Sequence, residues 1–177
     1  MTRILADTGL LVALFHPADR LAPSARSYLR EHRHPLATVA PVIVETCFFL
    51  SSAEKAQLLD WARRGGVAVV ETPVDVYPEI AAILLRYADR DIDLADAALI
   101  WLANASGQHR ILTLDERDFS AYRLKRGKRF DVVKWANLSR QTLPRYGPDD
   151  GPLTPEQLAA IDKLVPQGRF KPSKRLF

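Results

Sequence analysis

Short apolar runs alternate with amphipathic stretches along most of the chain. Arg3 to Ala6 reads as a strand, and Thr8 can cap a short apolar helix through Phe15. After a turn at HPADR, Ala22-Pro23 opens a helix to about His32, with Ala25, Tyr28 and Leu29 at helical spacing. Leu36 to Val39 is a second strand, and Pro41 opens a third helix, PVIVETCFFLS. Ser51-Ser52-Ala53-Glu54 carries the capping-box pattern of a fourth, which ends at Gly65-Gly66. Val67 to Val70 is a third strand. Val74 to Ala88 follows as a helix in which Pro78 is tolerable only within the first turn. Asp93 is placed as N-cap of the most apolar helix, LADAALIWLANAS, which stops before Gly107. Ile111 to Leu114 and Phe130 to Val133 are the last two strands, with the loop DERDFSAYRLKRGKR between them. Strands alternating with helices imply right-handed crossovers, so the expected fold is three-layer α/β/α with a mostly parallel five-stranded sheet.

The pattern changes after Asn137. LPRYGPDDGP is rich in Pro, Gly and Asp and reads as a linker; Thr154-Pro-Glu-Gln then caps a lone helix to about Leu164, before a basic end, QGRFKPSKRLF. The chain therefore divides into a domain over 1–138 and an extension over 139–177. With 177 residues, 47% of them hydrophobic and 26% charged, one domain can build a real core. No apolar run reaches the length of a bilayer span and the N-terminus lacks the apolar core of a signal peptide, so a soluble, cytoplasmic protein with no membrane contact is expected. Cys47 is the single cysteine, which leaves no internal disulfide and no thiolate metal cage; it reads as a small buried apolar residue.

Carboxylates are the informative residues. In a parallel sheet every strand ends at one edge and every crossover helix begins there, and open α/β folds bind ligands at that edge. Asp7 follows the first strand, Glu45 lies in the second turn of the helix after the second, Asp96 in the first turn of the helix leading to the fourth, and Asp115 just after the fourth. Glu71, Asp75, Asp93 and Asp118 fall near the same edge, but among polar residues. Asp7 in LADTGLL, Glu45 in PVIVETCFF and Asp96 in LADAALIWLA are each the only charge in a long apolar neighbourhood. Burying a lone ionised acid is expensive. A helix-dipole gain of about 0.3 to 1 kcal/mol is a sufficient structural reason for Asp96, a weaker one for Glu45 and a weak one for Asp7.

Converging carboxylates raise one another's pKa or recruit a cation. Oxygen-only ligation points to Mg²⁺ or Mn²⁺ rather than zinc. His16, His32, His34 and His109 are scattered over loops and helix ends, where surface or turn positions explain them better than ligation does. Net charge is +4 with a pI near 9.4, and basic residues crowd the second half of the chain. A basic rim around an acidic centre suits a polyanionic substrate, although a solubilising surface explains the same composition. Metal-activated water poised by carboxylates is an arrangement for phosphodiester hydrolysis.

At these residues the sequence resembles the PIN-domain nucleases, and most closely the VapC-type toxins of bacterial and archaeal toxin–antitoxin systems. The matching pieces are ILADTGLLVALF, the VIVETCFFL helix, DLADAALIWLA and ILTLDERDF, in that order, over about residues 3–135. The resemblance implies a metal-dependent endoribonuclease with Asp7, Glu45, Asp96 and Asp115 as the acidic pocket. Asp7, Asp96 and Asp115 would be the metal ligands, Thr8 and Thr113 hydroxyl helpers, and Asp118 an accessory acid. It further implies in-line hydrolysis leaving a 5′-phosphate and a 3′-hydroxyl, a homodimer, and silencing by an antitoxin whose C-terminal segment brings an Arg or Lys to the acids. Residues from about Gln141 onward depart from the family pattern. Their linker, helix and basic end resemble an antitoxin tail in composition, which makes Arg169, Lys171, Lys174 and Arg175 candidate autoinhibitory groups. A helix packed on the body, an RNA-binding arm and a mobile tail are the other readings.

Two readings also exist for RLKRGKR. Arg123, Lys125, Arg126, Lys128 and Arg129 could hold RNA phosphates, or form a charged hairpin tip that protects a sheet edge. Trp61, Trp101 and Trp135 are expected in the core or a dimer interface. The functional alternative is a PIN-fold binding module with weak or no catalysis. A receiver or aspartate phosphatase fits poorly, since Gly9 stands where the phosphatase's second Asp belongs. No glycine-rich phosphate loop and no G-x-S-x-G elbow is present.

Overall fold

A computed structural model describes residues 3–136. The extension over 139–177, including Arg169, Lys171, Lys174 and Arg175, lies outside the described residues. Five strands, β1 (Ile4–Ala6), β2 (Leu36–Val39), β3 (Ala68–Val70), β4 (Arg110–Leu112) and β5 (Asp131–Val132), form one sheet in the order β3-β2-β1-β4-β5. Every pairing is parallel. Helices flank the sheet: α1 (Thr8–Phe15) and α2 (Ala22–Glu31) connect β1 to β2, α3 (Ala40–Phe48) and α4 (Ser52–Arg63) connect β2 to β3, α5 (Tyr77–Arg86) and α6 (Leu94–Ser106) connect β3 to β4, and α7 (Glu116–Ala121) precedes β5.

The strand order creates the functional edge. From β1 the chain winds outward to β2 and β3, then crosses back to lay β4 on the other side of β1. Connections leave in opposite directions at the carboxyl ends of β1 and β4, which opens a crevice there. Asp7 follows β1 directly, and Thr113 and Asp115 follow β4. Ile4, Leu5, Ala6, Ile111 and Leu112 are buried, as central strands covered on both faces require. Gly9 permits the close approach of the two halves, because a Cβ there would stand 2.9 Å from the Leu114 side chain.

Several elements differ from expectation for physical reasons. Asp7, not Thr8, is the N-cap of α1; its extended backbone ends the strand and its carboxylate accepts the Thr8 N–H at 2.7 Å. The helix expected over 74–88 is divided: Val74–Val76 and Ala88–Arg90 are 3₁₀ turns, and Pro78 falls in the first turn of α5, the place its missing N–H allows. The loop before β5 contains α7, capped by Asp115. RLKRGKR is not a hairpin tip, because β4 and β5 run parallel; Lys125–Gly127 is a 3₁₀ turn with Arg126 and Gly127 at positive φ. Cys47 is half-buried rather than buried. The Ser51–Glu54 capping box and the Asp93 cap are present, and all three tryptophans are buried.

Candidate active site

Backbone turns place the acids, and neighbouring hydroxyls hold them. Asp7 is 8% exposed. Its Oδ1 accepts the Thr8 N–H, and its Oδ2 accepts the Thr113 hydroxyl at 2.6 Å. Thr113, itself buried, also accepts the Asp115 N–H at 2.9 Å, so one threonine ties the acid after β1 to the acid after β4. The Thr8 hydroxyl reaches the other way and donates to Glu45 Oε2 on α3. Asp96, half-buried in the first turn of α6, accepts the Tyr122 hydroxyl on Oδ2 at 3.0 Å. Asp115 accepts the Asp118 N–H at 3.2 Å as cap of α7, and Asp118 pairs with Arg90 at 3.3 Å.

The field at these acids is that of their own kind. Burial pushes the Asp7 carboxyl up to about 6, its hydrogen bonds to Thr113 and Thr8 pull it back, and the charges of Glu45 and Asp93 raise it again. Asp96 is pushed up to about 8, by burial first and then by Asp7 and Asp93, against the lowering effect of Tyr122. Burial also raises Glu45, opposed by the Thr8 hydroxyl and reinforced by Asp93. Asp115 is raised by burial, and its partner Asp118 acts on it both ways. Asp7, Glu45, Asp96 and Asp115 therefore share one locality.

Asp93 joins them, although its polar sequence context placed it apart from the isolated acids. Its carboxylate caps α6 by accepting the Asp96 N–H at 2.8 Å, which puts a fifth negative charge beside Asp7, Glu45 and Asp96. The available signal was spacing: a cap residue and the residue three positions later share one helix entrance. Tyr122 is not visible in the sequence because α7, whose end it marks, is only six residues long and shows no clear helical period.

Donor chemistry suits a hard divalent cation, since the cluster offers carboxylate and hydroxyl oxygens and the strongest charges acting on Asp7 and Asp96 are acids. As placed, no three His, Cys, Asp or Glu side chains among the described residues close on one point as a finished cation site. Repulsion between uncompensated carboxylates opposes such closure.

The basic segment splits in two. The Arg123 guanidinium donates to the carbonyls of Ser120, Ala121 and Tyr122 and so caps the end of α7, while Lys125 pairs with Glu79 at 3.4 Å. Arg126, Lys128 and Arg129 are exposed.

Comparison with known proteins agrees with this fold. Residues 4–125 match the PIN domain family. The chain belongs to that family, on its VapC-type branch. It is 30% identical over 135 residues to Ribonuclease VapC26 of Mycobacterium tuberculosis, covering 73% of this chain and 99% of that protein. The crystal structure of M. tuberculosis VapC20, described as a sarcin-ricin loop cleaving toxin, superposes with a TM-score of 0.61 at 20% identity, over 67% of this chain and 94% of that one. The latter likeness establishes the fold.

Proposed function

We propose that the chain is a metal-dependent endoribonuclease and the toxin of a toxin–antitoxin pair, acting in the cytoplasm. The observation that carries this reading is the carboxylate cluster at the carboxyl ends of β1 and β4, in a chain related along its domain to a ribonuclease. Asp7, Asp96 and Asp115 would hold Mg²⁺ or Mn²⁺. When bound, such an ion supplies water activation and neutralises charge building on the phosphate.

The remaining groups have separable tasks. Thr113 and Thr8 fix both Asp7 oxygens. Glu45, oriented by Thr8, would take the proton of an attacking water, a role its raised pKa suits. Asp118 acts through Asp115, whose carboxylate its N–H anchors. Arg126, Lys128 and Arg129 would attract RNA phosphates. Among the described residues no helix is long and apolar enough to cross a membrane. Val44 (58% exposed), Phe48 (81%) and Leu85 (79%) leave apolar surface uncovered, which supports association with a second copy and with an antitoxin.

The test is cleavage of a defined RNA by the full chain with Mg²⁺ or Mn²⁺, after chelation, and after metal is restored. Cleavage should stop and return, leaving 5′-phosphate and 3′-hydroxyl ends. RNA binding without metal-dependent cleavage would favour the binding-module alternative, and 2′,3′-cyclic phosphate ends would contradict the hydrolytic route.

A further inference from the structure

We propose that Tyr122 is a positioning residue that braces the acid cluster, coupling the placement of Asp96 to that of Asp115. This rests on the reading above that the acids hold a divalent cation. Tyr122 is 1% exposed, and its hydroxyl donates to Asp96 Oδ2 at 3.0 Å across 26 positions of sequence. The ring is held on two sides. Phe119 meets it edge-on at 5.4 Å and Tyr87 at 4.9 Å, and Phe119 is itself packed edge-on against Phe130 at 5.2 Å.

The backbone around Tyr122 is fixed as firmly as the ring. The Arg123 guanidinium binds the carbonyls of residues 120–122, and the Arg123 N–H donates to the Tyr87 hydroxyl at 2.7 Å. Tyr87 thus touches the ring with its own ring and anchors the following residue with its hydroxyl. A tyrosine held this way presents its O–H at a set position, and its hydrogen bond would become of the stronger, charge-assisted kind once a bound cation kept the Asp96 carboxylate ionised.

Position in the chain gives the brace its consequence. Asp115 is the N-cap of α7 and Tyr122 its C-cap, so the two lie at opposite ends of one short rigid helix, about 10 Å apart at helical rise. Asp96 stands on α6, a different element. One hydroxyl bond therefore fixes α6 and α7 relative to each other at the carboxylates they carry. Outer partners that orient ligating carboxylates generally change metal affinity by about 10–100-fold when removed.

Tyr122→Phe keeps the ring and deletes the hydroxyl. Calorimetric titration of the metal-free full chain with Mn²⁺ should show a dissociation constant raised about 10–100-fold, and excess Mn²⁺ should recover much of the cleavage rate. Tyr28→Phe deletes the hydroxyl of a buried tyrosine on α2 that takes no part in the brace, and should change Mn²⁺ affinity less than about threefold. In an Asp96→Asn background, Tyr122→Phe should also change affinity less than about threefold, because its partner is gone. If wild type binds Mn²⁺ and Tyr122→Phe binds it equally well, the brace is wrong. Lowered melting temperature with unchanged affinity would show a packing role and overturn it too. If wild type does not bind Mn²⁺, the metal reading itself fails.

Discussion

The two halves of the acid cluster are built differently. Around Asp7 the carboxylate is buried, and its bonds run to groups whose positions the sheet itself sets: the first residue of α1 and a threonine one residue beyond β4. Around Asp115 the acid is exposed, caps a six-residue helix, and neighbours an Asp118–Arg90 pair. The first half resembles a core that contains charge; the second resembles a surface that arranges it. Substitutions in the inner half should therefore disturb geometry and metal, whereas those in the outer half should disturb charge and respond to salt.

The largest effect should come from Asp7→Asn or Asp96→Asn, each of which removes a central carboxylate while preserving shape. Single-turnover RNA cleavage should fall by at least about 100-fold, the scale of losing one charge-stabilising group in an active site. Near-neutral stability of both variants should be retained or improved, since each loses a carboxyl whose pKa the fold raises above its unfolded value. Next, Thr113→Val strips the hydroxyl from Asp7 Oδ2 and from the Asp115 N–H together. Chemical denaturation should show a loss of about 1–3 kcal/mol, and Mn²⁺ affinity should fall about 10–100-fold.

A pH comparison sharpens the inner half. In the metal-free fold Asp96 keeps its proton to about pH 8, whereas in the unfolded chain it ionises near 3.8, so the folded state binds the extra proton between these limits. Stability from this group is present at low pH and is lost as pH rises through that window. Melting of metal-free wild type should decline relative to Asp96→Asn between pH 5 and pH 8, and saturating Mg²⁺ should remove the difference. Parallel melting curves at every pH would contradict the raised pKa.

The smallest effects belong to the exposed basic turn that follows α7. Replacing Arg126, Lys128 and Arg129 by Gln should weaken RNA binding and flatten its salt dependence by about 2 units of log–log slope, at roughly 0.7 per phosphate contact on a single strand. Turnover at saturating RNA should change little. Arg123→Gln should behave otherwise: its guanidinium holds the end of α7, so the melting temperature should fall while the salt slope stays near wild type.

The same contrast governed what the sequence disclosed. Asp7, Glu45 and Asp96 announced themselves because each is a lone charge in an apolar stretch, and strand-helix alternation fixed the edge they share. Asp93 was hidden by polar neighbours, because burial pattern marks isolated acids and not those that also cap a helix. The six residues of α7 are too few for a clear 3.6-residue period, so neither the helix nor Tyr122 at its end stands out in the sequence. Thr8 looked like a cap by residue type; backbone geometry gave that position to Asp7. Whether Arg123 contacts RNA or its own helix end depends on contacts between neighbouring residues that composition does not encode.

The most direct test of the central claim is the position of Mn²⁺ in crystals of the full chain, located by anomalous scattering. A peak bounded by Asp7, Asp96 and Asp115 is expected, absent in Asp7→Asn. A strong peak at another site with none at these acids, in a preparation that cleaves RNA, would contradict it.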